Sequence, residues 1–268
     1  MKKEDYQFFQ EHGYVSLGKI LTDEELDHFV GVYNRDWMEK KDFWFLYSNH
    51  QTINCDALAS SSEFDGIIRH PKVISPLQTL MGGDICFSEI CIRHMAPYDG
   101  EPRRSWHRDR KHWLEHPLRM DYIQLMLYLS DVNETTHCFS ISPESIHQEP
   151  LDTEPQLERG GVHDLHGEAG TAILFNVAVL HTATVRVTQH ERKTVQVYYG
   201  HRHRQFLSND SLIPVDLWHN HSDPETRAFY GVLNDKTRRY IELAGMEKRP
   251  LGEMAEILYE IDDKNRGK

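Results

Sequence analysis

Hydrophobic and polar positions change rhythm twice along this chain. From Lys3 to Gln10 the aromatic residues Tyr6 and Phe9 fall three apart, with Phe8 at the margin, and the run stops at His12-Gly13, which predicts a short helix. The following LTDEELDHFVGVYNRDW offers Thr22 as a helix cap and Glu25 as its capping-box partner, with Leu26, Phe29, Val30 and Tyr33 at helical spacing. Phe43 to Ser62 has no clear period and reads as a loop or lid. EFDGIIRHPKVISPLQTLMGG then predicts two short helices, with Pro71 at a first helical position, where its missing N–H is harmless, and Gly82-Gly83 as the stop.

The second rhythm begins at Asp84. DICFSEICIRHM, RMDYIQLMLYLSDV, HCFSIS, TAILFN with VAVLH, and KTVQVYYGHR are β-like runs, separated by segments containing Asn, Asp, Pro and Gly. Few of the connections hold the long helices that parallel crossovers need, so about eight short antiparallel strands are expected. After Arg204 the chain turns helical and polar again, with Asp223 as a cap before Pro224 and MAEILYEIDD as a final helix. The expected fold is mainly β with flanking helices: a double-stranded β-helix, or jelly roll, of the cupin kind. One domain is expected over 1–268, with N-terminal helices at about 3–82, a jelly-roll core at about 84–206 and a helical extension at about 207–268.

Composition narrows the classes of function. With 39% hydrophobic and 27% charged residues the chain is globular rather than disordered. Its 30 basic and 42 acidic residues give a net charge of -12, which argues against a nucleic-acid partner while allowing a local basic cleft around Arg103, Arg104, Arg108, Arg110 and Lys111. Cys55, Cys86, Cys91 and Cys138 lack CxxC spacing and read as buried thiols, not a disulfide frame. MKKEDYQFFQ lacks a signal-peptide segment and no run approaches transmembrane length, so a cytoplasmic protein without a membrane partner is expected. Nothing in the sequence fixes the oligomeric state.

Candidate chemistry concentrates in SWHRDRKHW. In extended backbone His107 and Asp109 share one side and Arg108 takes the other. That spacing alone is weak. Downstream, two apolar runs lead to His181, and Arg192 opens another β-like segment eleven residues later. Two imidazoles and one carboxylate form the facial triad used for non-haem Fe(II), which leaves positions for cosubstrate and O2, and Arg192 is a planar, permanent cation able to clamp a carboxylate.

At these residues the chain resembles the phytanoyl-CoA dioxygenase-like (PhyH) branch of the Fe(II)/2-oxoglutarate oxygenases, over roughly residues 6–206. The likeness lies in HGYV after the first helix, WHRD, LYLSDVNETTHCFSISPESIH, and HTATVRVTQHERK with Thr188 at a small hydroxyl position. It implies that His107, Asp109 and His181 are iron ligands and catalytic residues, and that Arg192 binds the distal carboxylate of 2-oxoglutarate. It also implies a small-molecule substrate oxidised by O2 with release of succinate and CO2. Hydroxylation is expected rather than halogenation, because Asp109 keeps a ligating carboxylate. The chain departs from the pattern with Glu144 at the usual glycine position, His147 one residue late and Arg186 where Asn is common. These changes bear on substrate shape.

Arg104, Trp113, Gln124, His147 and Arg202 are further candidates for contacting substrate or supporting the ligands, and Glu89 and Tyr128 for orienting the imidazoles. HDLH (His163 to His166) reads as a loop, the Asp216, His219 and His221 cluster as a surface loop, and HRHR (His201 to Arg204) as solvent-facing or meeting an anionic substrate. The non-enzymatic alternative is a catalytically inactive cupin-like small-molecule-binding protein. Zinc hydrolysis is disfavoured because no Glu is clearly placed as a general base.

Overall fold

A computed structural model describes residues 1–204 and 208–266. The N-terminal third alternates helix and strand: α1 (Lys3–His12), β1 (Tyr14–Lys19), α2 (Asp23–Glu39), β2 (Phe45–Tyr47), β3 (Gln51–Asn54), α3 (Ala57–Ser60), α4 (Asp65–Ile68) and α5 (Pro71–Met81). Local chemistry sets these bounds. Gly13 ends α1 at φ 74° with its N–H on the Phe9 carbonyl, and a Cβ there would lie 2.4 Å from Val179 Cγ2, so only glycine fits. Thr22 and Glu25 close the expected capping box on α2, at 2.8 and 3.2 Å.

The middle of the chain holds β4 (Ile85–Met95), β5 (Tyr122–Tyr128), β6 (Cys138–Ile141), α6 (Thr153–Gly160), β7 (His163–Leu165), β8 (Thr171–Asn176), β9 (His181–Thr184) and β10 (Arg192–His201). It ends in α7 (Val215–Trp218), α8 (Pro224–Tyr230), α9 (Asp235–Ala244) and α10 (Leu251–Arg266). The boundary expected at 206–207 lies outside the described residues. Among the described residues, no helix is long and apolar enough to cross a membrane.

The strands do not close into the expected jelly roll. They form two open antiparallel sheets, one of seven strands in the order β1-β8-β5-β10-β4-β3-β2 and one of three in the order β7-β6-β9. Helices also hold more of the described residues than strands do, so the fold is mixed α/β rather than mainly β. The reason lies in strands that the sequence pattern did not reveal. β1 pairs with β8, and the β2–β3 hairpin, in the segment read as a loop or lid, pairs through β3 with β4, so both edges of the large sheet are extended within the region expected to be helical. β7, read as a loop, pairs with β6 in the small sheet.

Period-two alternation gives the large sheet two different faces. Ile123, Leu125 and Leu127 of β5 join Ile90 and Ile92 of β4 and Val195 and Val197 of β10 in a core shared with Phe29, Tyr33, Leu77 and Phe229 of the helices. Met126 and Tyr128 of β5, with Ile173 and Phe175 of β8, point the other way and pack on Phe139 and Ile141 of the small sheet. Each fully buried aliphatic contributes about 2 kcal/mol, so a one-residue slip, which would swap the faces, is strongly disfavoured. One irregularity matters for the site. Tyr198 pairs with Glu89 while Tyr199 pairs with Phe87, leaving Ser88 as an extra residue on β4. This bulge flips the parity of β4: Phe87 packs among the helices, and beyond it Glu89 and Arg93 turn to the face opposite Ile90 and Ile92.

Candidate metal and cosubstrate site

The main chain brings His107 and His181 together before any side chain acts. Each donates its N–H to the other's carbonyl at 3.0 Å, and the Asp109 N–H donates to the Val177 carbonyl, also at 3.0 Å. His181 opens β9 rather than ending a strand; the apolar run before it forms the turn from β8. Each imidazole then donates its Nδ1–H to a carbonyl at 2.8 Å, His107 to Ser105 and His181 to Val179. A carbonyl can only accept, so the ring proton is fixed on Nδ1 and the Nε2 lone pair is free to coordinate.

Those two Nε2 atoms face the Asp109 carboxylate at 3.5 Å for His107 and 3.6 Å for His181. One ligand atom from each residue lies within 4.8 Å of the others. A transition ion about 2.1 Å from two adjacent donors would hold them about 3 Å apart, so each His–Asp distance need contract by only about half an ångström. Two neutral nitrogens and a carboxylate fit non-haem Fe(II). Burial pushes the His181 imidazole toward its neutral form, against the pull of Asp109, and Phe139 and Phe175 pack beside its ring. The Tyr198 hydroxyl donates to Asp109 Oδ2 at 3.0 Å.

Arg192 enters the same cavity, of about 470 Å³, from β10. Its side chain is 1% exposed, yet its neighbours are the thioether sulfurs of Met95 and Met126, at 3.5 and 3.9 Å, and Nε has no hydrogen-bond partner. Among the described residues no carboxylate pairs with it. Burial lowers its proton affinity, but a guanidinium stays charged. A buried cation among weak acceptors calls for an anion.

A family model described as phytanoyl-CoA dioxygenase (PhyH) matches residues 9–194, more than half of the chain. The chain belongs to the phytanoyl-CoA dioxygenase family. No curated protein gives a match. Solved structures share its fold at low identity. The non-heme alpha-ketoglutarate-dependent carbocyclase SnoK from nogalamycin biosynthesis is 17% identical, with a TM-score of 0.65 over 75% of this chain and 85% of that one. The epimerase SnoN from the same biosynthesis is 14% identical, with a TM-score of 0.65 over 87% and 93%. HygX from Streptomyces hygroscopicus, with nickel and 2-oxoglutarate bound, is 15% identical, with a TM-score of 0.61 over 75% and 87%.

In this phytanoyl-CoA dioxygenase family member, Gln124 alone of the five further candidates lines the cavity, where its amide donates to Gln196 Oε1 at 2.8 Å. Arg104 faces away and binds Thr184 and Asp164. Trp113 lies under Arg204 and against His116 and His201. His147 is exposed. Arg202 pairs with Glu225 and Asp84. Nearness in sequence to a ligand does not carry Arg104 or Trp113 into the cavity, although Ser105 and Trp106, just before His107, line it. Arg108 takes the side opposite His107 and Asp109, as alternation requires, and pairs with buried Glu144. Tyr128 is spent on the Leu165 carbonyl.

Asp164 of HDLH forms a second cluster with Cys138 and His166. Its carboxylate is already matched by Arg104 and Arg186, which makes it a poor metal ligand. His219 and His221 sit near Asn220 and Asp223, outside the cavity. The residues that the sequence reading missed are Tyr198, Gln196, Arg93 and Asp210, together with Tyr47, Ser48, Asn49 and Gln51 of the β2–β3 hairpin. Alternation along β10, where Arg192, Gln196 and Tyr198 share a face, could have found two of them.

Proposed function

We propose that this chain is a non-haem Fe(II)- and 2-oxoglutarate-dependent dioxygenase that hydroxylates an unactivated C–H bond of a small organic metabolite, with release of succinate and CO2. One observation carries the reading: three converging candidate ligands share a cavity with a buried guanidinium that lacks an anionic partner among the described residues. Fe(II) with 2-oxoglutarate and O2 supplies the oxidation, one oxygen atom entering succinate as CO2 leaves and the other entering the substrate. His107, Asp109 and His181 hold the metal, and Tyr198 orients the Asp109 carboxylate. Arg192 receives the distal carboxylate of 2-oxoglutarate through its planar fork. Met126, Phe139 and the Gln124–Gln196 pair wall the cavity and limit water. The carboxylate at Asp109 favours hydroxylation over halogenation. A cytoplasmic setting is part of the reading, supported by four buried free cysteines that suit a reducing compartment.

The test is succinate formation from 2-oxoglutarate with Fe(II), ascorbate and O2, with His181→Ala as control and a broad substrate panel. Product gaining one oxygen atom supports hydroxylation. Product losing two hydrogens, or isomeric with the substrate, would replace it with ring closure or epimerisation. No succinate above the control would leave binding without turnover.

A further inference from the structure

The cavity has two halves. Arg192, Met126, Gln124 and Gln196 lie along β10 and β5, and the proposed function gives that half to 2-oxoglutarate. The other half runs along β4 and carries opposite charges at its two ends. Glu89 and Arg93 sit four residues apart on the face that the Ser88 bulge turns inward, about 13 Å between their Cα atoms at ordinary strand rise. Without that extra residue both would point into the helix-side core.

Neither end forms an ion pair among the described residues. Glu89 is 5% exposed and accepts a hydrogen bond from the Ser208 hydroxyl, and exposed Asp210 faces it from the loop after β10. Burial and the Asp210 charge both push the Glu89 carboxyl up, to about 8, because ionising it beside Asp210 without a cation is unfavourable. The loop is nonetheless anchored, because the buried Lys236 ammonium holds the Asp210 carbonyl at 2.9 Å. At the opposite end, Arg93 meets Gln51 Oε1 at 3.3 Å, the Cys91 sulfur and the Tyr47 ring at 5.4 Å; its Nε has no partner, and no carboxylate forms an ion pair with it among the described residues. Glu89 and Arg93 do not pair with each other. A ligand carrying one charge of each sign would favour the ionised form of Glu89 beside Asp210 and supply an anion to Arg93 together.

We propose that the substrate is a small zwitterion, its ammonium group held by Glu89 and Asp210 and its carboxylate by Arg93. This rests on the oxygenase reading for the word substrate, and on the β4 side of the cavity alone for binding. The reacting carbon then lies between the two charged ends, in front of the proposed metal ligands, with Trp106 and the hairpin residues closing the outer wall.

The test is anaerobic equilibrium binding to the full chain, with and without Fe(II) and 2-oxoglutarate, read by fluorescence against a Trp106→Phe blank. The probes are the straight-chain ω-amino acids of four to eight carbons, with the matching fatty acids and alkylamines as single-charge controls. Saturable binding of at least one ω-amino acid, about tenfold or more tighter than either control of its length, is expected. Glu89→Gln should remove the preference over the fatty acid while leaving fatty-acid binding unchanged, and Arg93→Met should remove the preference over the alkylamine while leaving alkylamine binding unchanged; the retained arm shows that each variant is folded. Equal binding of fatty acid and amino acid, or no binding by any ω-amino acid, overturns the proposal. Zwitterion binding without succinate would leave it standing and sink the oxygenase reading. Succinate formation driven by neutral substrates alone would do the opposite.

Discussion

Replacing Arg192 by Met separates the two things this residue does. In the ligand-free chain its guanidinium is buried, with two thioether sulfurs as neighbours and an unpartnered Nε. It is therefore desolvated with little in return, and Met fills a similar volume beside Met95 and Met126. Breaking a paired buried charge usually costs about 3–5 kcal/mol. Here the ligand-free variant should lose no more than about 1 kcal/mol and can gain stability. Its affinity for 2-oxoglutarate should fall by about 2–5 kcal/mol, the usual loss when one partner of a buried charge pair is truncated, or about 30- to 4,000-fold in Kd. Urea unfolding without 2-oxoglutarate measures the first effect, and anaerobic calorimetric titration of 2-oxoglutarate into the Fe(II)-loaded protein measures the second. A ligand-free destabilisation above about 2 kcal/mol would mean that Arg192 has an anionic partner at rest. A Kd changed by less than about threefold would mean that Arg192 does not hold the cosubstrate.

Other outcomes follow from single contacts. Tyr198→Phe removes the donor to Asp109 and should weaken Fe(II) or Co(II) binding about 10- to 100-fold by metal titration, and an unchanged affinity would detach Tyr198 from the site. Glu144→Gln leaves the Arg108 guanidinium without its charge partner and should cost about 3 kcal/mol in urea unfolding at neutral pH. Burial works to raise the Glu144 carboxyl, but His112 and Arg108 outweigh it, so its folded pKa lies below its unfolded one. Its contribution is therefore present above the unfolded carboxylate value and lost as pH falls through the folded one, and the variant should show a flatter loss of stability across that acidic window. Gly200→Ala puts a Cβ 2.4 Å from the Tyr122 ring and should cost about 1–3 kcal/mol in thermal unfolding.

What could be read from the chain was local. The α1 stop at Gly13, the α2 cap at Thr22 and the Pro71 start of α5 are each written within a few residues, and each forms as read. The closed jelly roll was overturned by β1, β2, β3 and β7. These strands run three to six residues and take much of their stability from partners far along the chain, which no local period reports. The same limit applies at the site. The residue types of His107, Asp109, His181 and Arg192 were legible, but the main-chain pairing that joins the two histidines was not. Arg93 was hidden because the bulge at Ser88 changes which parity of β4 faces inward, so counting from the strand's start assigns it to the wrong side.

Both candidate imidazole ligands take their ring orientation from carbonyl oxygens, at Ser105 and Val179, not from side chains. A carbonyl is present whatever residue occupies the position. Proton placement on these rings is thus inherited with the path of the backbone, and a substitution at Ser105 or Val179 preserves it wherever that path holds. Drift at those two positions leaves the donor nitrogens aimed as before.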